Sequence, residues 1–573
     1  MSVQLSYPGV YVSEVPSGVR TLTGVATSIA AFVGNAPRGP INKAVRLTSF
    51  ADYERRFGGL AADSEMGYAV RQFFQNGGTD AYAVRVVKDA SKAETTLLSA
   101  GGANVLKIDA LDAGGAGNGI EVRVDHHTSN PGSTFNLLLI RSSDGASERY
   151  DNVSLNSADL RYLPDLVNGS SQLVSVSRLP NQATLDGLSA GTALSGTLAD
   201  VATLLDANHN ELRISCNGLP PVKVVIALPA DIAGGTPTQR LDALCNAIRT
   251  KVVAQANSQQ AYLGFSCSRP NGTQTILMTS GVGGERSSVR ILPGQKNNAT
   301  TVLKLGSDAG GLEVDAVAAI RPRPVPDPAR LTSDAFAATD LDALPSAASN
   351  SLRISLDGFG PDLVNIGDAV ASGGDLAAKQ ADVAARLQQA VRALKPANPA
   401  YSNFQVTVEG GRLVLASGSQ GAASSIAVTA ASSNSIAAGL HLLAGAVTTQ
   451  PLNVTLQGGT ETPYGLADLY AAFIGDRAAR SGIYALEGVD LFNILCLPGI
   501  TDAGVLADAA AYCEQRRAFF IIDSPPAAQA PEQMVAAVSG TALPKSDHAA
   551  VYYPWTYIAD PLRNGKLRLT PPC

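Results

Sequence analysis

The apolar positions near the two ends of the chain share one rhythm, and those between follow another. Early on, Ser28–Val33 is a compact apolar run that predicts a strand. Phe50, Tyr53 and Phe57 recur at helical spacing before Gly58-Gly59, and Val70, Phe73 and Phe74 do so before Asn76-Gly77-Gly78. Each set predicts a short helix stopped by glycine. Ala81–Val87 predicts another strand. Far downstream the same alternation returns: a helix over 466–480, a buried strand over 491–497, and a helix capped by Thr501 or Asp502 that puts Leu506, Ala510 and Cys513 on one face. Strands follow at 519–523 and 549–553. Strands alternating with helices predict parallel βαβ units. The first piece is too small to bury its own apolar residues, so both ends are expected to share one discontinuous α/β core.

Between them the pattern turns β-like and glycine-rich. Strands are expected at 120–124 and 135–140, and a helix at 158–167. Leu212-Arg213-Ile214-Ser215 with Gly218 then returns as Leu352-Arg353-Ile354-Ser355 with Gly358, roughly 140 residues later, a longer period than solenoid repeats have. Each copy continues with an amphipathic helix (Leu241, Leu244, Ile248; Val383, Leu387, Val391), then Ala261-Tyr262 with Phe265 or Ala400-Tyr401 with Phe404, then a hairpin-like pair. Two duplicated α+β domains are therefore expected. The run Arg321-Pro322-Arg323-Pro324-Val325-Pro326-Asp327-Pro328 predicts an extended, stiff spacer between them. At the start, Tyr7-Pro8-Gly9-Val10-Tyr11-Val12 and Val15 form a β-rich stretch bracketed by prolines. That suits an edge strand or one added to another chain. The expected organisation is an arm (1–22), a core first part (23–100), a β-rich insert (101–197), repeat A (198–315), a Pro-rich linker (316–338), repeat B (339–447) and a core second part (448–573).

Length and composition fit this division. At about 150 residues per domain, 573 residues predict about four domains. Hydrophobic residues make up 45% and charged residues 16%, enough to build cores. With 43 basic against 49 acidic residues and a net charge of −6, nucleic acid is not the expected main partner. No secretory leader or membrane-length apolar run stands out, so the expectation is a soluble chain made in a cytoplasm. The six cysteines form no CxxC pair and read as reduced thiols, mostly buried, with Cys573 exposed.

Candidate chemistry is sparse. Gly187-Leu188-Ser189-Ala190-Gly191 fits GxSxG, but that motif needs a strand before and a helix after, and both flanks read as loops. Asp523 ends a predicted parallel strand, where α/β enzymes place chemistry, with His548 as its imaginable partner. Pro525-Pro526 after it favours a turn-capping role. His126 and His127 alternate sides of a strand and cannot chelate together. Gly114–Gly119 does not fit GxGxxG, and there is no HExxH or Walker loop. No catalytic, cofactor or metal site is expected.

The residues that carry a resemblance are Tyr7-Pro8-Gly9-Val10-Tyr11-Val12, Thr27–Gly34, Phe57-Gly58-Gly59 and Phe73–Gly78, with Gly482–Leu486, Phe492–Gly499, Tyr512-Cys513, Arg516-Arg517, Phe520–Asp523, Tyr552-Tyr553-Pro554-Trp555 and Asp560-Pro561-Leu562. In order and spacing the chain resembles contractile phage-tail sheath proteins, including those of tailocins and extracellular injection systems. The resemblance implies a core domain near an inner tube, outward-facing inserts, and arms that cross to neighbouring subunits through Tyr7, Pro8, Gly9, Val10, Tyr11, Val12 and Val15. It implies stacked hexameric rings of this chain, partners in the tail tube, baseplate and terminator proteins, and a place in a virion tail or injection particle. Nucleic-acid contact and membrane insertion are not implied. Two departures stand out. Gly458-Gly459-Thr460-Glu461-Thr462 replaces an aspartate-containing turn, and the sequence stops at Cys573 where the family continues to a C-terminal arm. The second reads as either a truncation or an unusually short subunit, and predicts poor sheath formation by this polypeptide alone. The competing readings are a glycan-binding surface protein using the duplicated domains, which the low aromatic content of 5% disfavours, and a hydrolase.

Overall fold

The computed structural model describes residues 28–270, 273–421, 424–449, 453–462 and 464–573. The arm residues Tyr7, Pro8, Gly9, Val10, Tyr11, Val12 and Val15 lie outside them. The protein is mixed α/β, with many sheets and no barrel among the described residues. It divides into two compact units: residues 89–461, and a terminal unit made from the chain on either side of them.

The terminal unit is built on one six-stranded sheet. Its strands are β1 (Ala30–Gly34), β2 (Val45–Leu47), β3 (Ala81–Arg85), β4 (Ile494–Cys496), β5 (Phe519–Asp523) and β6 (Ala549–Tyr552). Their spatial order is β2-β3-β1-β4-β5-β6. All neighbours are parallel except β2, which runs antiparallel to β3. Parallel strands covered on both faces read as unbroken apolar runs, and β1 is buried at all five positions. One face packs Phe32, Ala83 and Cys496 under α1 (Phe50–Phe57) and α2 (Glu65–Gln75). The other packs Val33, Leu495 and Phe520 under α3 (Ala503–Arg516), with Met534 of α4 (Pro531–Ser539). Caps set the helix starts: the side chains of Ser49, Ser64 and Asp502 accept from the N–H groups of Asp52, Gly67 and Val505. Gly58 stops α1 in the left-handed region at φ 95°.

Several expected elements are shorter or shifted. The helix over 466–480 is only a 3-10 turn at Leu466–Asp468 and a short α-helix at Leu469–Phe473. Gly475 follows at φ 73°, where a Cβ would meet the Ser481 carbonyl at 2.5 Å. The strand over 491–497 narrows to Ile494–Cys496, and just before it the Asn493 side chain accepts from the Ile29 N–H at 3.0 Å. The helix at 158–167 instead runs Leu163–Ser170, since the Asn156 and Asp159 side chains accept from the N–H groups of Ala158 and Arg161 and hold a turn.

Between the two parts of the terminal unit, Val454–Thr455, Ile120–Asp125, Phe135–Arg141 and Ser147–Val153 form one sheet, and Lys88–Leu98, Asn104–Ala113 and Val174–Arg178 belong to a second. The first copy has strands Val222–Val225, Glu211–Cys216 and Val289–Pro293 in one sheet and Ser266–Ser268, Leu277–Thr279, Thr192–Leu194 and Leu312–Val314 in the other, with helix Pro237–Ala254. The second copy repeats that order strand for strand. Phe359–Asn365, Ser351–Leu356 and Ile426–Ala430 form one sheet, and Gln405–Glu409, Arg412–Ala416, Arg330–Thr332 and Val447–Thr449 the other, with helix Leu376–Leu394. Each copy thus starts with a strand upstream of 198 or 339.

The Pro-rich segment is not a free spacer. Val124 and Val325 exchange both backbone hydrogen bonds (2.7 and 3.0 Å), Arg323 N–H donates to the Leu98 carbonyl, and Val325 is buried with Val317 and Ile320 in the core of the β-rich sheets. Proline there removes donors without preventing edge pairing.

Leu244 and Leu387 are fully buried in two separate clusters. Leu387→Ala should cost about 2–5 kcal/mol locally. Amide exchange should then accelerate across 351–430 and stay unchanged across 211–293. Equal acceleration in both copies would show that they unfold as one body.

Candidate assembly surface

After β6 the chain turns through Tyr553-Pro554-Trp555 into a two-stranded hairpin, β7 (Thr556–Asp560) and β8 (Lys566–Thr570). Asn564 and Gly565 take the left-handed conformations at φ 53° and 79° that bring the chain back. Pairing runs unbroken from Thr556 opposite Thr570 to Asp560 opposite Lys566. The two faces differ in character.

The inner face is a set of polar anchors. Asp560 is 1% exposed, and its Oδ1 accepts from the Tyr68 hydroxyl at 2.8 Å and the Leu562 N–H at 2.9 Å. Arg568 donates to Glu65 Oε1 at 2.6 Å and to the Ala62 carbonyl at 3.0 Å, and its guanidinium lies 4.2 Å above the Tyr68 ring. Burial opposes ionisation of Asp560, but the Tyr68 and Leu562 hydrogen bonds and the charges of Arg568 and Arg563 outweigh it, leaving the carboxyl below its ordinary range.

The outer face is apolar. Tyr557 lies opposite Leu569 and Ala559 opposite Leu567, with Tyr557 68% and Leu567 67% exposed. Leu562 at the turn and Tyr552 at the end of β6 are also exposed. Among the described residues neither β7 nor β8 has a third strand beside it. A lone two-stranded hairpin is marginal in water, and an unpaired apolar edge invites another strand. The outer side of β6 is a second open edge. It borders a groove lined by Val538, Leu543, Pro544, Ala549 and Val551.

The sequence-level chemical candidates are dispersed. Asp523 is 2% exposed, and its two oxygens accept from the N–H groups of Gly499 (2.8 Å) and Cys573 (2.7 Å). Burial raises its carboxyl to about 6 despite those bonds. His548 precedes β6, at the opposite end of the strand pair, and its Nδ1 lies 3.1 Å from the Ala518 carbonyl. They form no dyad. Ser189 is exposed, with helix Gln182–Asp186 before it and strand Thr192–Leu194 after it, the reverse of a nucleophile elbow. His126 Nε2 donates to the Pro322 carbonyl, and burial beside Arg321 lowers the ring to about 4, while His127 points out toward Asp125. No cluster of three or more metal-ligating side chains occurs among the described residues. None of their helices is long and apolar enough to cross a membrane. Cys573, expected to be exposed, is half-buried.

No family model matches the chain, and no curated protein matches it in sequence. Solved structures with partial similarity include a sheath tail protein from Listeria innocua (17% identity, TM-score 0.21, 27% of this chain and 31% of that one) and one from Desulfitobacterium hafniense (14%, 0.20, 30% and 35%). The flagellar cap protein FliD from Helicobacter pylori is a third (12%, 0.16, 46% and 58%). The matches span about a third of the length of the two sheath tail proteins.

Asp560→Ala should free the hairpin. Amide exchange over 556–570 should speed up about tenfold or more while β1 and β4 keep their protection. Unchanged exchange would mean that Tyr68 and Asp560 do not anchor it.

Asp523 gives a pH signature. Its folded value of about 6 exceeds the ordinary value near 4, so the folded state holds more protons between them. Stability should therefore fall as pH rises from 4 through 6, by about 3 kcal/mol at most. Urea midpoints across that range should show the decline, and Asp523→Asn should flatten it.

Proposed function

We propose that this chain is a structural subunit of a contractile tail sheath, one that stacks in hexameric rings around an inner tube and repacks to drive the tube through an envelope. The reading rests on the order and spacing of the sequence elements that resemble that family. The observation that carries it is the hairpin: polar anchors fix its inner face, and an apolar outer face with bare edges is turned to solvent. A sheath must keep its subunits linked while their surfaces slide. Strand addition does this, because main-chain hydrogen bonds follow the edge whatever the outer surfaces do. In this reading β7–β8 receives a strand from a neighbouring copy, supplied by the arm around Tyr7–Val15. The tube, baseplate and terminator proteins are the other partners, in a virion tail or related injection particle. No residue is assigned a catalytic role.

Charge on the outer face should abolish assembly without unfolding the subunit. Tyr557 and Leu567 are exposed, so glutamate at both positions costs little stability. In co-expression with a tube protein, electron microscopy should show regular tubes from the native chain and none from the Tyr557→Glu, Leu567→Glu variant. Equal tube formation by the variant would remove the hairpin from the assembly surface. Failure of the native chain to form regular assemblies with any tube partner would count against the sheath reading itself.

A further inference from the structure

Beyond β8 the chain lies back across the sheet face that carries α1 and α2. Pro571 is buried, the Cys573 N–H is fixed by Asp523, and Cys573 packs against the cluster that contains Cys496. Cys496 is fully within that cluster and Cys573 is partly buried against it. Both line a pocket of about 170 Å³ with Ala30, Phe32, Phe73 and Ile494. Cys513 belongs to the cluster on the other side of the sheet. The pair therefore combines a shared cluster, a fixed backbone on one partner, and a pocket lined by both residues.

We infer that Cys496 and Cys573 form an oxidisable dithiol that low-molecular-weight disulfides convert to an intramolecular disulfide, tying the segment after β8 to the centre of the sheet. The half-buried Cys573 loses its proton and attacks one sulfur of the small disulfide, expelling one small thiol and forming a mixed disulfide. The Cys496 thiolate then attacks the Cys573 sulfur and expels the second small thiol. Two protein thiols lose two electrons and two protons, and the small disulfide gains both as two thiols. Burial pushes the Cys573 thiol up, so the rate should rise nearly tenfold per pH unit between about 7 and 9, following the thiolate. The bond closes a loop containing β5, β6 and the β7–β8 hairpin. Its formation should raise the melting temperature of the terminal unit by about 5 °C or more.

The test uses the full chain with glutathione disulfide, acid quench, alkylation and peptide mapping. Cys245 and Cys267, both buried in the first copy's core cluster, are an internal control. The Cys496–Cys573 crosslink should form about tenfold faster than the Cys245–Cys267 one, lose its preference in guanidinium, and vanish in Cys573→Ser with no substitute crosslink to Cys513. Glutathionylated Cys573 that never resolves to the crosslink would overturn the inference. So would a Cys496–Cys573 bond formed only in denaturant, or no reaction at either thiol. These readouts need no assembly, so they are independent of the sheath reading.

Discussion

The parallel pairing of Ala30–Phe32 with Ile494–Cys496 is the contact on which the terminal unit depends. It joins residues 464 positions apart, and the Asn493 side chain sets its start by accepting from the Ile29 N–H. Without it, β2-β3-β1 and β4-β5-β6 are two half-sheets, each with an apolar edge and half a core. Closing the chain around roughly 370 residues costs only about 5 kcal/mol in a flexible-loop estimate, and each doubling of loop length adds about 0.6 kcal/mol. A sheet closed by strongly buried strands therefore tolerates a very large insertion. That explains how three further cores can sit between its halves.

The inserted copies and the terminal unit treat their strand edges differently. In the second copy, edge strand Phe359–Asn365 contains Pro361, and its register shifts between Ile354 and Leu356 on the partner strand. Proline and irregular pairing are devices that block strand addition. In the first copy, Pro220 and Pro221 precede edge strand Val222–Val225. The β7–β8 hairpin has neither device within its strands. Prolines border the hairpin as well, Pro561 after β7 and Pro571 after β8, but its paired strands are regular and free of them.

What the sequence made legible follows from how directly burial writes itself into the text. Fully buried strands such as Ala30–Gly34 are short apolar runs and legible as such. The duplication was legible because Leu212–Ser215 and Leu352–Ser355 are identical. The hairpin was not read out, although alternating Tyr557, Ala559 and Leu567, Leu569 flank an Asn564-Gly565 turn. Its apolar residues face solvent, so the period-2 signal carries no core and is easily passed over. The helix expected over 466–480 failed because composition outweighed Gly475, whose positive φ ends it. The Pro-rich segment misled in the opposite way. Proline content describes a backbone without donors, but Val325 and Ile320 had already committed that stretch to a core.

Asp523 shows how placement at a strand end can look catalytic while serving another end. In a doubly wound sheet the crevice beyond the carboxyl ends of the strands, near the point where connections diverge, is the usual place for a ligand. Here connections diverge between β1 and β4, and beside that point the chain places its own backbone. The Asp523 oxygens are taken by Gly499 and Cys573, and the Ser524 carbonyl accepts from the Trp555 indole at 2.8 Å. A buried carboxyl is costly unless its acceptors are used. These two N–H donors fix the turn after β4 and the segment after β8 on the same carboxylate, one step from the anchored hairpin. The strand end that many α/β proteins give to a substrate is used to hold the path of the chain into and out of β7–β8. That is the economy expected of a unit whose surface edges must be presented in a fixed geometry.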